Sequence, residues 1–365
     1  MKILITGTHF TTALAVIEEL KKFKDIKLVY AGRDTTIEGD SARSVESKVF
    51  PEHGVKFISI VAGRLQKSFT IYTIPSLLKI PIGFIQAFFI LLKEKPDVVL
   101  SFGGYVSVPV VTWGWLFNIP VIIHEQTLVT GLAIRISSLF ADKVAVSFIE
   151  SGLSKNPKAI LTGNPIRSEI TRGVNVTHTR GVIGRHPGIP VILVTGGNQG
   201  SHVINLAVEE CLEKLLKVAY LIHQTGDSKY RDYERLEARQ NDRYKVMKWI
   251  PEMGEVMRRV DLVVSRAGIN TLSELAYLGK PALVIPISYL YQDEQQKNAK
   301  YFEKLGLVRI LPQSKLSSEN LLKSIKSCLN DLNHLKNSAQ KAKEVIILDA
   351  AKRVALETVL LGKKI

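Results

Sequence analysis

The 365-residue chain reads as an α/β protein of two doubly wound domains, on three observations. Short, β-branched apolar runs alternate with stretches of helical spacing. Most of these runs end in a glycine-bearing turn, as strands of a parallel sheet do when they feed helices. The opening KILITG (2–7) recurs as PVILVTGG (190–197), so one βαβ array is followed by a second. At 46% hydrophobic residues, the chain can fill two cores.

In the first array, KILIT (2–6) is a strand and Gly7-Thr8-His9 its turn. Residues 12–22 carry Leu14, Ile17 and Leu20 at helical spacing and end in lysines, which suit a helix C-terminus. LVYAG (28–32) and VKFISI (55–60) are the next strands, and the polar segment 33–54 reads as a long loop. PDVVLSFGGYVSVP (96–109) is a strand, a diglycine turn and a helix start. Gly103-Gly104 there has the form of an anion-binding turn. VIIHEQ (121–126) delivers His124, Glu125 and Gln126 at a strand's carboxyl end; KVAVSF (143–148) and AILTG (159–163) complete the array. The polar stretch 171–190, with four glycines and two prolines, is the linker.

The second array has a helix over about 201–217 and strands VAYLIHQTG (218–226), YKVMKWI (244–250), DLVVSRAG (261–268) and ALVIP (282–286). Its centre is 261–299. Gly268 ends a buried strand and Glu274 lies on the following helix. A glycine lets a phosphate approach the backbone, and an acid one turn on can accept hydrogen bonds from ribose hydroxyls. The plain alternative is an ordinary βαβ unit with a turn glycine. The segment 332–361 is helical and basic.

The net charge of +15, from 49 Lys+Arg against 34 Asp+Glu, favours an anionic partner. No nucleic-acid-binding module is present, which makes nucleic acid the weaker choice. Two cysteines, Cys211 and Cys328, imply a reducing compartment, and the 8 histidines form no metal-ligand cluster. The N-terminus lacks the long apolar region of a signal peptide. The longest apolar tract, Ile80–Leu92, is too short to span a bilayer. Lys79, Lys93 and Lys95 interrupt or flank it, so it is either a buried helix or an interfacial patch with a basic rim.

FGGYVSVP, HEQ, LTGNPIR, GGNQGS, SRAGINTLSE and DEQQKNA occur in the order and spacing of MurG-type glycosyltransferases, and the resemblance covers essentially the whole chain. It implies the GT-B fold: two Rossmann-like domains facing across a cleft. Residues 1–165 would be the acceptor and membrane-facing domain and 166–340 the UDP-sugar domain, with 341–365 packing back on the first. It also implies transfer of N-acetylglucosamine from UDP-N-acetylglucosamine to lipid I, on the cytoplasmic face of the plasma membrane as a peripheral protein.

Carried residue by residue, the resemblance gives the sugar donor Arg167, the turn Gly197-Asn198-Gln199, and Ile250, whose main chain reads the uracil. It adds Gly268, Ile269, Asn270, Thr271, Leu272 and Ser273, with Glu274 on the ribose, and Gln295, Gln296 and Asn298 on the sugar. The acceptor loops become Thr6, Gly7, Thr8, Gly103, Gly104, Tyr105 and Thr127. Trp113, Trp115 and Phe117 would extend the membrane-facing surface. The chain departs from the family at four places. The GGxGGH loop is reduced to Thr6-Gly7-Thr8-His9, Thr127 stands for an asparagine, Asn198 for a serine and Glu294 for a histidine.

The implied chemistry is an inverting single displacement. The muramoyl C4 hydroxyl attacks the anomeric carbon, UDP leaves, and a base takes the proton. His9 and Glu125 are the candidates, with His9 first because an ordinary imidazole suits neutral pH. Helix N-termini, glycine-turn amides and Arg167 meet the charge on UDP; no cofactor is expected, and no carboxylate pair is set to hold a divalent ion. Two alternatives stand beside this: the altered first loop could serve a different lipid acceptor, or the chain could be a UDP-sugar-binding scaffold with little catalysis.

Overall fold

A computed structural model of the chain describes residues 1–34, 44–61, 63, 73–171, 188–197, 200–288 and 291–363. It forms two compact units: Met1–Arg167 with Ile347–Ile365, and Ser168–Ile346. Most of the expected linker, 172–187, lies outside the described residues.

The first unit runs β1 (Lys2–Thr6), α1 (Phe10–Leu20), β2 (Lys27–Gly32), α2 (Val45–Glu52), β3 (Lys56–Ser59), α3 (Thr73–Glu94), β4 (Val98–Ser101), α4 (Ser107–Leu116), β5 (Val121–Glu125), α5 (Leu132–Phe140), β6 (Lys143–Val146) and β7 (Ala159–Leu161). The second runs α6 (Ser168–Thr171), β8 (Val191–Thr195), α7 (His202–Leu216), β9 (Tyr220–Gln224), α8 (Asp232–Glu237), β10 (Tyr244–Met247), α9 (Met253–Arg259), β11 (Leu262–Ser265), α10 (Ile269–Leu278), β12 (Ala282–Val284), α11 (Glu294–Lys304), β13 (Val308–Ile310), α12 (Ser318–Asn330) and α13 (Leu332–Lys341). The last helix, α14 (Ala350–Gly362), returns to the first unit and packs on α1, burying Val354, Ala355 and Val359.

Both sheets are parallel throughout. The strand orders are β3-β2-β1-β4-β5-β6-β7 and β10-β9-β8-β11-β12-β13. Each order reverses direction once, between β1 and β4 and between β8 and β11. Such a switch point opens a crevice at the carboxyl ends of the strands, because the helices on its two sides lie on opposite faces. Strands buried on both faces need continuous apolar runs. ILI in β1, ILV in β8 and LVV in β11 supply them, with Ile3–Ile5, Ile192–Val194 and Leu262–Val264 buried.

Three expectations are corrected. The segment 33–54 is not all loop: Ser44 caps α2, its Oγ accepting from Ser47 N at 3.1 Å, and Phe50 packs on Tyr30. Within α2 only Val45, Val49 and Phe50 are large and apolar, too few to stand out as periodicity. The C-terminal segment is not one helix but is broken between α13 and α14. The apolar tract also lies inside a longer helix. By length and composition alone α3 could cross a bilayer, although one of its sides packs on α4.

That packing is specific. Trp113 Nε1 donates to Phe84 O at 2.9 Å, and Phe88 meets the rings of Trp113 and Phe117. Ala87, Ile90 and Leu91 are buried. Leu78, Ile82, Ile85, Phe89 and Leu92 are exposed, Leu78 at 65% and Phe89 at 61%. Their spacing of three and four residues places them along one helix face. The reading of this tract as wholly buried is therefore overturned.

Candidate active site

In the second unit, the β8/β11 switch point joins two of the turns expected to hold the sugar donor. The turn after β8 leads from Gly196 to Gly200 and into α7. Gly197 and Gly200 have φ of +84° and +73°. A Cβ on Gly200 would lie 1.8 Å from Thr225 O, so only glycine fits there. Asn198 and Gln199 lie outside the described residues. Across the switch point, Gly268 caps α10 with an ordinary φ of −69° and open space where a Cβ would go. Neither N-cap residue, Ser201 of α7 nor Gly268 of α10, makes a side-chain cap hydrogen bond to its helix. Two such helix starts at one strand edge favour an anion.

Around this edge, Asn270 and Thr271 are partly exposed on the first turn of α10, while Ile269, Leu272, Ser273 and Glu274 are buried. Ile250 is buried, and its N–H donates to Gln224 Oε1 at 3.0 Å. Gln295 Oε1 accepts from Ile287 N at 3.0 Å, fixing the segment after β12. Gln296 is half-buried on α11. Asn298 is fully buried, with neither side-chain polar atom hydrogen-bonded within the protein. Buried amides are normally satisfied, so this one is chemically unfinished. Gln292 and Asp293 both take left-handed φ, 49° and 56°, at the start of α11. Strain of that kind clusters where a ligand or a mechanism requires it. Arg167 closes the first unit and is described with it.

A polar network braces the far side of the β9 end. Asn205 Nδ2 donates to Thr225 O at 3.0 Å and to Asp232 Oδ2 at 2.8 Å, and its Oδ1 lies 3.0 Å from His223 Nε2. Burial works to raise the Asp232 pKa, but hydrogen bonds from Asn205, Arg235 and His202 outweigh it and hold the carboxyl low.

In the first unit, the β1/β4 switch point joins the reduced loop Thr6–His9 to the diglycine turn. The two interlock. Thr8 N donates to Gly103 O at 3.1 Å, and a Cβ on Gly104 would lie 2.3 Å from Thr8 Oγ1. Gly7 has φ +147° and lies against Phe102, where a Cβ would clash at 2.9 Å. Tyr30 OH donates to Gly7 O at 2.9 Å. Tyr105 is partly exposed beyond the turn. Thr6 Oγ1 is buried without a hydrogen-bond partner within the protein. At the end of β5, Glu125 Oε1 accepts from Thr127 N at 2.9 Å and from Thr127 Oγ1 at 3.0 Å. That threonine pins the carboxylate in place.

His9 caps α1, and its imidazole is not ordinary. Burial, then the nearby His124 and Arg33, push its pKa down to about 4. The premise that an unperturbed imidazole works here is corrected. His124 is likewise pushed down to about 4 by burial, with the Gly163 carbonyl and Gln126 pulling the other way.

Two fully buried imidazoles make stability depend on acid. His223 in the second unit is pushed down to about 3 by burial, and His124 in the first to about 4. Both lie below the free value, so the unfolded chain binds the extra protons. Full stability is present above pH 6.5 and is lost as pH falls toward the folded values. By pH 5, the loss is expected to reach about 2 kcal/mol per imidazole. Urea unfolding at pH 7 and 5 checks this; equal midpoints would refute it.

The sequence reading missed Gln224, whose side chain joins Gly197 to Ile250. The signal was present: HQTG (223–226) ends β9 as HEQT (124–127) ends β5, polar residues at a parallel strand's carboxyl end. Among the described residues, no group of three or more His, Cys, Asp or Glu is placed to hold a metal ion.

Comparison with known proteins agrees with this geometry. The glycosyltransferase family 28 N-terminal domain matches residues 4–146, and the family's C-terminal domain matches 191–354. A Clostridium kluyveri protein is 37% identical over 332 residues, 89% of this chain and 90% of that protein. It carries the name UDP-N-acetylglucosamine–N-acetylmuramyl-(pentapeptide) pyrophosphoryl-undecaprenol N-acetylglucosamine transferase. A Caldicellulosiruptor saccharolyticus protein of the same name is 34% identical over 349 residues, 93% of this chain and 91% of its own. Among solved structures, MurG of Acinetobacter baumannii superposes with a TM-score of 0.71 at 22% identity, covering 98% of this chain and 99% of that one. A UDP-GlcNAc 2-epimerase of Neisseria meningitidis reaches 0.65 at 18% identity, covering 99% and 100%, so the fold by itself does not choose the reaction. With both family domains matched and relatives above 30% identity along its length, the chain belongs to glycosyltransferase family 28.

Proposed function

We propose that this protein transfers N-acetylglucosamine from UDP-N-acetylglucosamine to the muramoyl C4 hydroxyl of lipid I, forming lipid II with inversion at the anomeric carbon. The observation that carries this reading is the relatives' shared name at 34–37% identity over about nine-tenths of both chains. The second unit supports the sugar-donor half of it. Its switch point offers two uncapped helix starts for the diphosphate, with Glu274 buried just beyond for the ribose. UDP leaves as an anion, and amides at these helix starts stabilise it without a proton. The first unit supplies the base, His9 or Glu125. No metal enters the scheme.

The acceptor side supports the polyprenyl pyrophosphate less directly. Thr8 packs over Gly104, so one specific observation favours a second reading: the same transfer to a different lipid-linked acceptor. We place the protein at the cytoplasmic membrane surface as a peripheral protein, on the exposed α3 face and on Trp115, Leu132 and Leu139 of α4 and α5.

The test is a transfer assay in liposomes with labelled UDP-N-acetylglucosamine and lipid I, with and without EDTA. Formation of lipid II, unaffected by EDTA, is the expected result. UDP release only with another polyprenyl or diacylglycerol acceptor would establish the second reading. UDP binding with no transfer to any acceptor would reduce the protein to a scaffold.

A further inference from the structure

We infer that Gln224 is a positioning residue that sets the spacing between the two ends of the sugar-donor site, the nucleobase end and the diphosphate end. The inference rests on the proposed UDP-sugar reading and adds to it a part that no donor contact supplies.

The geometry is that of a strut. Gln224 ends β9, the strand between β8 and β10, and is paired in register with Thr195 on one side and Met247 on the other. Its side chain is 1% exposed. Nε2 donates to Gly197 O at 3.1 Å and to Thr195 Oγ1 at 3.4 Å, while Oε1 accepts from Ile250 N at 3.0 Å. The partners fix the orientation of the amide: a carbonyl oxygen lies on one side and an N–H on the other. A glutamine amide offers this donor and acceptor side by side at every pH, whereas a carboxyl of the same length does so only when protonated.

The turn after β8 is therefore held at both of its described ends. At Gly197, the N–H donates to Thr195 Oγ1 at 3.1 Å and the carbonyl accepts from Gln224. At Gly200, the α-carbon abuts Thr225 O, which Asn205 holds from behind. Residues 224 and 225 thus support the phosphate turn, and among the described residues Gln224 ties it to Ile250. A diphosphate bound at Gly197 and a base bound at Ile250 belong to one ligand of fixed length. Their contacts add only when the two ends keep that distance.

The experiment compares wild type with Gln224→Met and Gln224→Glu. Methionine keeps the length and loses both hydrogen bonds. Glutamate keeps an acceptor for Ile250 N–H but, when ionised, turns an oxygen toward Gly197 O. Calorimetry with UDP and steady-state transfer are the readouts, and thermal unfolding is the fold control. The expected result is a UDP Kd and a sugar-donor KM raised about tenfold or more in both variants at pH 8.5, with the acceptor KM unchanged. For Gln224→Glu, the loss should recover toward pH 6, where the protonated carboxyl can donate to Gly197 O; a merely structural role would not give that recovery. Wild-type UDP affinity in Gln224→Met would overturn the strut, as would an equal rise in both KM values. Wild-type protein that binds no UDP would instead overturn the sugar-donor reading itself.

Discussion

His9→Ala is expected to lower transfer turnover by about 10²–10⁴-fold, the usual range for loss of a general base, with UDP affinity unchanged. His9 sits where β1 ends and α1 begins, beside the diglycine turn that the proposed reaction assigns to the acceptor. Burial together with His124 and Arg33 holds its imidazole near pKa 4. At neutral pH the ring is therefore uncharged and ready to accept a proton, but it is a weaker base than a free imidazole. The acceptor changes this balance. A pyrophosphate bound at the same turn brings negative charge beside the ring and raises its pKa toward the ordinary range. The two pH profiles should consequently separate. The acid limb of kcat/KM, which reports the free enzyme, is expected near pH 4, and the limb of kcat, which reports the complex, at higher pH. Coincident limbs near 6.5 would contradict the buried environment. Turnover within threefold of wild type in His9→Ala would remove His9 and leave Glu125, whose carboxylate Thr127 already holds in place.

The parts of this protein legible in its sequence are those that repeat locally. KILITG and PVILVTGG each combine a β-branched run with a glycine turn, and both fold as the strand beside a switch point. Gly103-Gly104 and Gly268 were legible for the same reason: each ends the strand across its switch point. What escaped depends on partners far along the chain. The shift at His9 comes first from burial and then from His124 and Arg33, none of which a window around His9 reveals. Gln224 gains its role from Gly197 and Ile250, each 26 or 27 residues away. Asn298 reads as a helix residue that could lie at the surface, yet it is buried without a partner because α11 turns that face inward. Helix α2 was missed for a different reason. Phe50 finds its partners in Tyr30 and Phe10, so tertiary contact forms a helix that pattern alone does not announce.

Replacing both Leu78 and Phe89 with glutamate is expected to weaken binding to anionic liposomes by about 100-fold or more. Each large apolar side chain moved from water into the acyl boundary contributes about 1.5–3 kcal/mol, and a carboxylate there adds repulsion from the lipid charge. Both residues lie on the exposed stripe of α3, while the opposite face is closed by Ala87, Leu91 and the Trp113–Phe88 contact. The variant should therefore keep its fold and its affinity for UDP, because exposed positions tolerate substitution within about 0.5 kcal/mol. Lys79, Lys93 and Lys95 act through a separate force. Their joint replacement by alanine should remove about 1 kcal/mol each near an anionic surface, a loss visible at low salt and fading as salt screens it. The double glutamate variant should weaken binding at every salt concentration. Flotation with phosphatidylglycerol vesicles separates the two contributions. Unchanged binding by Leu78→Glu/Phe89→Glu would mean that the stripe meets something other than lipid. Resistance of the wild-type protein to extraction by high salt and alkali would mean that α3 spans the bilayer, as its length allows, and that the packing on α4 is not its membrane-bound state.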